Sequence, residues 1–206
     1  DDTYYDWERL PEIVNRETVI YVGGNDGMLH AFTSWKYQPI DPISGDRKST
    51  FVEPDGKESG EVMGDEIWAY IPQNLLPHLK WTAMKNYTHT YYVDAKPRIF
   101  DARILGKWRT ILVVGFRMGG KSIDVFENFS GGSNELRTFR PAYVCMDITD
   151  PRNPTVLWER SYDNMGFSWV EPSPVRVGPY AEDTAGEWYL VFGSGPTEYD
   201  GTSAQG

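Results

Sequence analysis

Three short apolar runs, each closed by a glycine, limit what this chain can become: Val19-Ile20-Tyr21-Val22-Gly23, Ile111-Leu112-Val113-Val114-Gly115 and Tyr189-Leu190-Val191-Phe192-Gly193. They are not isolated. Glu66-Ile67-Trp68-Ala69-Tyr70 follows the first and is echoed by Val156-Leu157-Trp158-Glu159-Arg160 after the second, while Lys96-Pro97-Arg98-Ile99 is echoed by Ser173-Pro174-Val175-Arg176. The order of these segments agrees from unit to unit. Runs rich in β-branched and aromatic residues, punctuated by Gly, Pro, Asn and Asp, read as strands. A repeated all-β unit with a glycine-terminated strand and a later strand carrying Trp points to propeller blades, because one blade cannot bury both of its faces alone. A sandwich or barrel predicts shorter, more regular spacing of about 8 to 12 residues between turn signals and ranks second.

The strands expected are Thr18–Gly23, Met28–Thr33, Glu66–Ile71, His89–Val93, Arg98–Ile104, Arg109–Phe116, Ala142–Ile148, Thr155–Ser161, Ser173–Val177 and Trp188–Phe192. About ten strands make two to three four-stranded blades, whereas a closed ring takes at least about four. The fold class is therefore all-β, a partial β-propeller over 18–206 that continues beyond the chain end, preceded by a lead-in segment over 1–17. The one helical piece expected is Pro72–Trp81, of one or two turns, in which Leu75, Leu76 and Leu79 share a face and Pro77 limits the length.

Charge narrows the partners. With 30 Asp and Glu against 20 Lys and Arg the net charge is −10, which repels a phosphate backbone or an anionic lipid surface. No apolar run reaches the roughly 20 residues of a spanning helix, and Asp1-Asp2-Thr3-Tyr4 does not open a secretory signal, so a signal for an exported protein is expected upstream. Neither nucleic acid nor membrane insertion is expected. Cys145 is the single cysteine, which excludes an intrachain disulfide. It sits in an apolar alternation and reads as a small buried hydrophobe.

Two polar insertions, Ser34–Asp65 and Arg117–Arg140, are expected on the surface. Glu53, Asp55, Glu58, Glu61, Asp65 and Glu66 are acidic enough to suggest calcium, but they lack the Asp-x-Asp-x-Asp-Gly density of a preformed loop and read as a solvated face. Trp35, Tyr37, Phe126 and Phe129 are apolar residues in polar loops, candidate anchors if exposed. Asn25-Asp26-Gly27 is a hairpin turn by composition, and Trp68 and Trp158 are expected to fill the space between neighbouring blades.

Gly115-Phe116-Arg117-Met118-Gly119-Gly120-Lys121-Ser122 satisfies the phosphate-loop pattern G-x-x-x-x-G-K-[ST] after an apolar strand. In that role the glycine amides cradle phosphate, Lys121 neutralises it and Ser122 holds magnesium, with Asp147 at the end of Tyr143-Val144-Cys145-Met146-Asp147 as the magnesium-side carboxylate. The pattern requires a helix directly behind it, and Ser122–Ser130 is a poor helix. His30, His78 and His89 have no companion spacing for a metal or general base, Ser194 lacks the Gly-x-Ser-x-Gly context, and the sequons Asn86-Tyr87-Thr88 and Asn128-Phe129-Ser130 carry little. No catalytic, cofactor or metal residue is assigned.

Val22-Gly23-Gly24-Asn25-Asp26-Gly27-Met28-Leu29-His30-Ala31-Phe32 resembles the opening of the C-terminal β-propeller of the PilY family, type IV pilus tip-associated biogenesis proteins and adhesins. Further stretches resemble its signatures in family order: Glu66 to Leu79, Tyr92-Val93-Asp94 with Lys96-Pro97-Arg98, Trp108 to Val113 with Arg117-Met118-Gly119-Gly120, and Met146 to Pro151 followed by Pro154 to Trp158. The resemblance runs from about Thr18 to Gly195. It implies a Gly-rich loop in which Lys121 replaces a small residue. It also implies a non-enzymatic protein of the cell surface and pilus tip, working with minor pilins, in pilus biogenesis and in adhesion to a surface or host receptor. Calcium regulates some members, through an Asp-rich loop expected after Trp188–Phe192; that segment is not in this sequence, nor is an Arg-Gly-Asp tripeptide. No cofactor is expected here, and calcium is left to a full-length protein. The blade pattern also resembles quinoprotein dehydrogenases, for whose adjacent-cysteine disulfide a lone Cys145 does not suffice.

Overall fold

The computed structural model describes residues 2–34, 36–38, 50–52, 62–129, 131–178 and 186–198. Two short helices, α1 (Asp2–Glu8) and α2 (Pro11–Val14), precede β1 (Val19–Gly23), β2 (Leu29–Thr33), β3 (Lys36–Gln38), β4 (Thr50–Val52) and β5 (Glu66–Tyr70). A 3-10 helix (Gln73–Ala83) follows. The remaining strands are β6 (Arg98–Ile104), β7 (Lys107–Gly115), β8 (Ile123–Glu127), β9 (Glu135–Phe139), β10 (Tyr143–Asp147), β11 (Thr155–Arg160), β12 (Ser173–Val177) and β13 (Glu187–Val191).

Among the described residues every pairing is antiparallel. The central sheet has four strands in the order β6-β7-β10-β11, flanked by a three-stranded sheet β1-β2-β5 and a two-stranded sheet β12-β13. The sequence repeat reappears as register. Tyr21 pairs with Ala31 and Ala31 with Trp68, just as Val113 pairs with Cys145 and Cys145 with Trp158. A bulge follows at the matching place in both, after Ala31 and after Cys145, where the extra residue sharpens the local twist.

Strands β7 and β10 are apolar almost throughout because the central sheet is buried on both faces. Alternate side chains point to opposite sides. Leu112, Val114, Val144 and Met146 meet the first sheet, with Leu29, Tyr21 and Trp68. Ile111, Val113, Tyr143 and Cys145 meet the third, with Trp188, Leu190 and Phe192. Each fully buried large side chain here contributes about 1.5–3 kcal/mol. The paired tryptophans do as expected: Trp68 lies between its own sheet and the next, where its ring N–H donates to Pro151 O at 2.8 Å, and Trp158 packs in the following interface.

Segment 89–93, expected as a strand, is a stitch between sheets. Val93 N–H donates to Gly24 O at 3.3 Å and Asp94 N–H to Phe116 O at 3.4 Å, so successive donors serve two different sheets and no ladder forms. The equivalent segment after β11 repeats the device. Arg117 N–H donates to Ser168 O at 3.1 Å, Phe116 N–H to Ser168 Oγ at 2.7 Å, and Phe167 N–H to Pro196 O at 2.8 Å. Glycine closes β1 and β7 because the stitches pass directly against them: a Cβ on Gly23 would collide with the Val93 carbonyl, and one on Gly115 would sit 2.5 Å from Ser168 O. Gly193 has ordinary room, 3.6 Å from Val170 Cγ2.

The helical piece is longer than expected and of the tighter type, which tolerates Pro77 and places Leu75 and His78, three apart, on one buried face. Two further helices stand in the lead-in segment, where none was expected. Their anchor is aromatic: Tyr4 packs on Trp108 at 4.7 Å between centroids, its hydroxyl donates to Asp101 at 2.9 Å, and Trp108 Nε1–H donates to Thr3 Oγ1 at 3.0 Å. Both insertions contain a hairpin, β3-β4 and β8-β9, strands that the polar composition of the insertions concealed.

Candidate functional site

The phosphate-loop pattern is the first place to test for chemistry. Behind Ser122 stands strand β8, not a helix, so no helix terminus faces the loop. Gly119 and Gly120 are buried and packed on Tyr92 and Leu75, and the Lys121 ammonium pairs with Glu198 at 2.6 Å. The loop is packing material. Asp147, the would-be metal-side acid, accepts from Thr149 N–H at 3.0 Å and from the Thr149 hydroxyl at 2.6 Å, and pairs with Arg109. Burial opposes its charge, but these donors hold its carboxyl below the usual range.

Other residues singled out from the sequence are occupied in the same structural way. Cys145 is buried and burial, then Asp147, pushes its thiol up to about 12, far from a nucleophile at neutral pH. Ser194 Oγ accepts from Gly166 N–H at 2.9 Å. His78 is buried and burial lowers its pKa; His89 lies edge-on to Tyr91 at 5.0 Å. Among the described residues no group of three or more His, Cys, Asp or Glu is disposed to hold a metal ion. Of the acidic set, Glu53, Asp55, Glu58 and Glu61 lie outside the described residues, as do Trp35 and the side chain of Tyr37. Asp65 accepts from Val62 N–H at 2.8 Å, and Glu66 is paired with His30.

That pairing forms, among the described residues, a titrating cluster the sequence did not announce. His30 Nδ1 meets Glu66 Oε1 at 2.6 Å, Nε2 meets Asp26 Oδ2 at 3.0 Å, and Phe32 stacks on the ring at 5.8 Å. Carboxylates on opposite ring nitrogens do not converge with the imidazole on one metal ion, but they suit an imidazolium that donates both protons. Burial works against the charge, yet the Glu66 and Asp26 hydrogen bonds outweigh it and raise the pKa above 6.5. The folded value exceeds the unfolded one, so the cluster supports the fold fully below about pH 6.5 and the support is lost as pH climbs through the folded value. The His30 ring is expected to titrate by NMR with a midpoint above 6.5, and His30→Gln is expected to flatten the loss of denaturant stability on the alkaline side. A midpoint at or below the ordinary value defeats the assignment.

Two of the surfaces formed by the described residues present side chains outward from a fixed frame. On the β8-β9 hairpin, Phe126 and Leu136 are directly opposed across the strands and 63% and 64% exposed. The hairpin root is fixed, because Phe139 is buried and Arg140 N–H donates to Asn74 Oδ1 at 3.0 Å. Phe129 turns back against Phe139 at 6.0 Å with the Arg137 guanidinium over its ring. Of the expected anchors whose side chains are described, Phe126 is thus the more exposed and Phe129 the less, and Leu136, which sequence reasoning missed, is the partner of Phe126.

The second surface is a cleft of about 260 Å³ where the stitch 94–96, the end of β7 and the segment 169–172 converge. Arg117 projects over it, its guanidinium 4.6 Å from the centre of the half-exposed Trp169 ring and 3.4 Å from Asp94. Arg117 has φ +54. It is the second residue of a turn closed by Gly119 N–H donating to Phe116 O at 2.8 Å, a place where glycine is at ease and a side chain costs about 1–2 kcal/mol. Nothing in the residue pattern signalled this cleft, whose walls come from three separate stretches of chain.

No protein-family model matches the chain. It is 31% identical over 188 residues to the type IV pilus biogenesis factor PilY1 homolog of Xylella fastidiosa, covering 88% of this chain and 9% of that protein. It is 28% identical over 182 residues to the type IV pilus biogenesis factor PilY1 of Pseudomonas aeruginosa, covering 85% of this chain and 11% of that protein. The crystal structure of the Pseudomonas aeruginosa PilY1 C-terminal domain superimposes with a TM-score of 0.50 at 25% identity, over 90% of this chain and 26% of that one. The chain thus spans about a tenth of the length of these curated relatives.

Proposed function

We propose that this chain, a homologue of the C-terminal region of the PilY type IV pilus biogenesis factors, acts in pilus biogenesis by presenting contact surfaces and not by covalent chemistry. The observation that carries the reading is a similarity that runs through nearly the whole chain in both sequence and fold. The stacked antiparallel sheets with a repeated register support a partial propeller. So do the outer faces, where Ile20 and Val22 on one side and Val175, Val177, Tyr189 and Val191 on the other are exposed as in a longer stack. In this reading the partners are minor pilins or the tip complex, the location is the cell surface and pilus tip, and adhesion to a surface or host receptor is a second use of the same contacts. The Gly115–Ser122 phosphate-loop reading and the quinoprotein-dehydrogenase reading find no support in the packed glycines and inert Cys145.

The exposed pair on the β8-β9 hairpin is the contact to test first. Phe126→Ser with Leu136→Ser, placed in the complete protein, is expected to leave its abundance and melting temperature unchanged while lowering surface piliation and twitching several-fold. Normal piliation in the double variant would remove the hairpin from the assembly contacts.

A further inference from the structure

We infer that the cleft beneath Arg117 is a binding site for a carboxylate-bearing peptide segment, with Arg117 and Lys96 as its cationic contacts and Trp169 as its apolar wall. The inference goes beyond the pilus reading and rests on it only in taking the chain as a contact module.

The first argument is charge. The chain carries a net −10, yet in this cleft the cations Lys96 and Arg117 match the carboxylates Asp94 and Glu171 in number. Lys96 lines it, is exposed, and makes no ion pair among the described residues. Glu171, also in the wall, is engaged by Arg98 at 3.2 Å. Asp94 reaches Arg117 only at 3.4 Å, longer than the 2.7–2.9 Å or so of a strong charge-assisted bond. The Arg117 fork therefore retains donors for an incoming carboxylate, which matches its planar geometry.

The second argument is conformational. Arg117 occupies a left-handed position that glycine would hold without strain, and the glycines Gly119 and Gly120 stand two and three residues away. Backbone strain of this kind persists where the side chain it presents has a use. What the turn achieves is placement of the guanidinium over Trp169, 4.6 Å from its ring centre and half-exposed at the cleft mouth. Stacking on one face of the cation leaves its in-plane N–H groups directed outward. Trp169, Val170 and Pro172 add an apolar wall, so the ligand chemistry is an acidic side chain or chain terminus beside an apolar one.

The test is fluorescence anisotropy of the intact protein with a labelled Gly-Asp-Phe-Asp-Gly peptide, against Gly-Asn-Phe-Asn-Gly as the uncharged control, at about 0.1 M salt. The acidic probe is expected to bind at least tenfold more tightly than the control. Arg117→Gly is expected to erase that preference while leaving the melting temperature equal to or above that of the unaltered protein, and Arg117→Lys, which keeps the charge and loses the planar stack, to fall between. Lys96→Gln is expected to weaken the acidic probe several-fold. Equal binding of the two probes, unchanged preference in Arg117→Gly, or a lowered melting temperature in Arg117→Gly would each overturn the site. The assay needs no pilus, so its failure leaves the biogenesis reading intact, and a pilus assay that fails leaves this site intact.

Discussion

Gly119→Ala is expected to lower stability by about 3 kcal/mol, at the upper end for an overpacked site. The new Cβ would fall on the Tyr92 carbonyl and within reach of its Cα. Those are backbone atoms, and no rotamer change can move them aside. Tyr92 cannot retreat either, because its ring is fully buried and its hydroxyl donates to His78 O at 2.9 Å. The effect is steric and not conformational, since φ at Gly119 is outside the left-handed region. Gly132→Ala is the matched control, with nothing within 4 Å of the added atom, and is expected to stay within about 0.5 kcal/mol of the parent. Urea midpoints compare the two. Should Gly119→Ala melt with Gly132→Ala, the stitch does not lie where it is described.

Glu159→Ala is expected to cost about 2–3 kcal/mol, the range for stripping a charged acceptor from several donors. One carboxylate on β11 accepts from Gln73 N–H at 2.8 Å, Asn74 N–H at 2.7 Å, the Asn74 side-chain amide at 2.7 Å and the Tyr70 hydroxyl at 3.2 Å. It thereby caps the first turn of the 3-10 helix and ties β5 to the central sheet. Burial, then Glu159, pushes the Tyr70 phenol up to about 12. Glu159→Gln keeps one acceptor oxygen but turns an amide toward the other donors, so it is expected to recover less than half of the loss. A double-mutant cycle with Asn74→Ala isolates the contact, with a coupling of about 1 kcal/mol expected. Strict additivity would mean that the cap makes no contribution.

What the residue pattern made legible was the frame. Glycine-ended strands, echoed Trp strands and the Asn25-Asp26-Gly27 turn are local signals, and each fell where the structure has it except at the third glycine, since β13 ends at Val191, short of Gly193. The pattern misled at 89–93, where alternation suited a strand but the donors are divided between two sheets, a decision taken by residues far away in sequence. It missed β8 and β9 because an exposed hairpin needs no buried face, so its composition reads as loop. It missed α1 because what fixes that helix is Trp108, about a hundred residues on. Candidate contacts followed the same rule: Phe126 was visible as an apolar residue in polar surroundings, whereas the Arg117 cleft exists only once three stretches of chain have met.

The two inserted hairpins interrupt different connections of the repeat, and direction follows from that. Val93 and Asp94 bond to Gly24 and Phe116, so β1 and β7 end on the same side. The β8-β9 hairpin leaves from that side, between β7 and β10. The β3-β4 hairpin leaves after Thr33, which pairs with Val19 at the start of β1, and the chain re-enters where Thr33 N–H donates to Asp65 O at 2.8 Å. That is the other pole. Contacts made on these two hairpins would therefore not compete for space, because the stacked sheets lie between them.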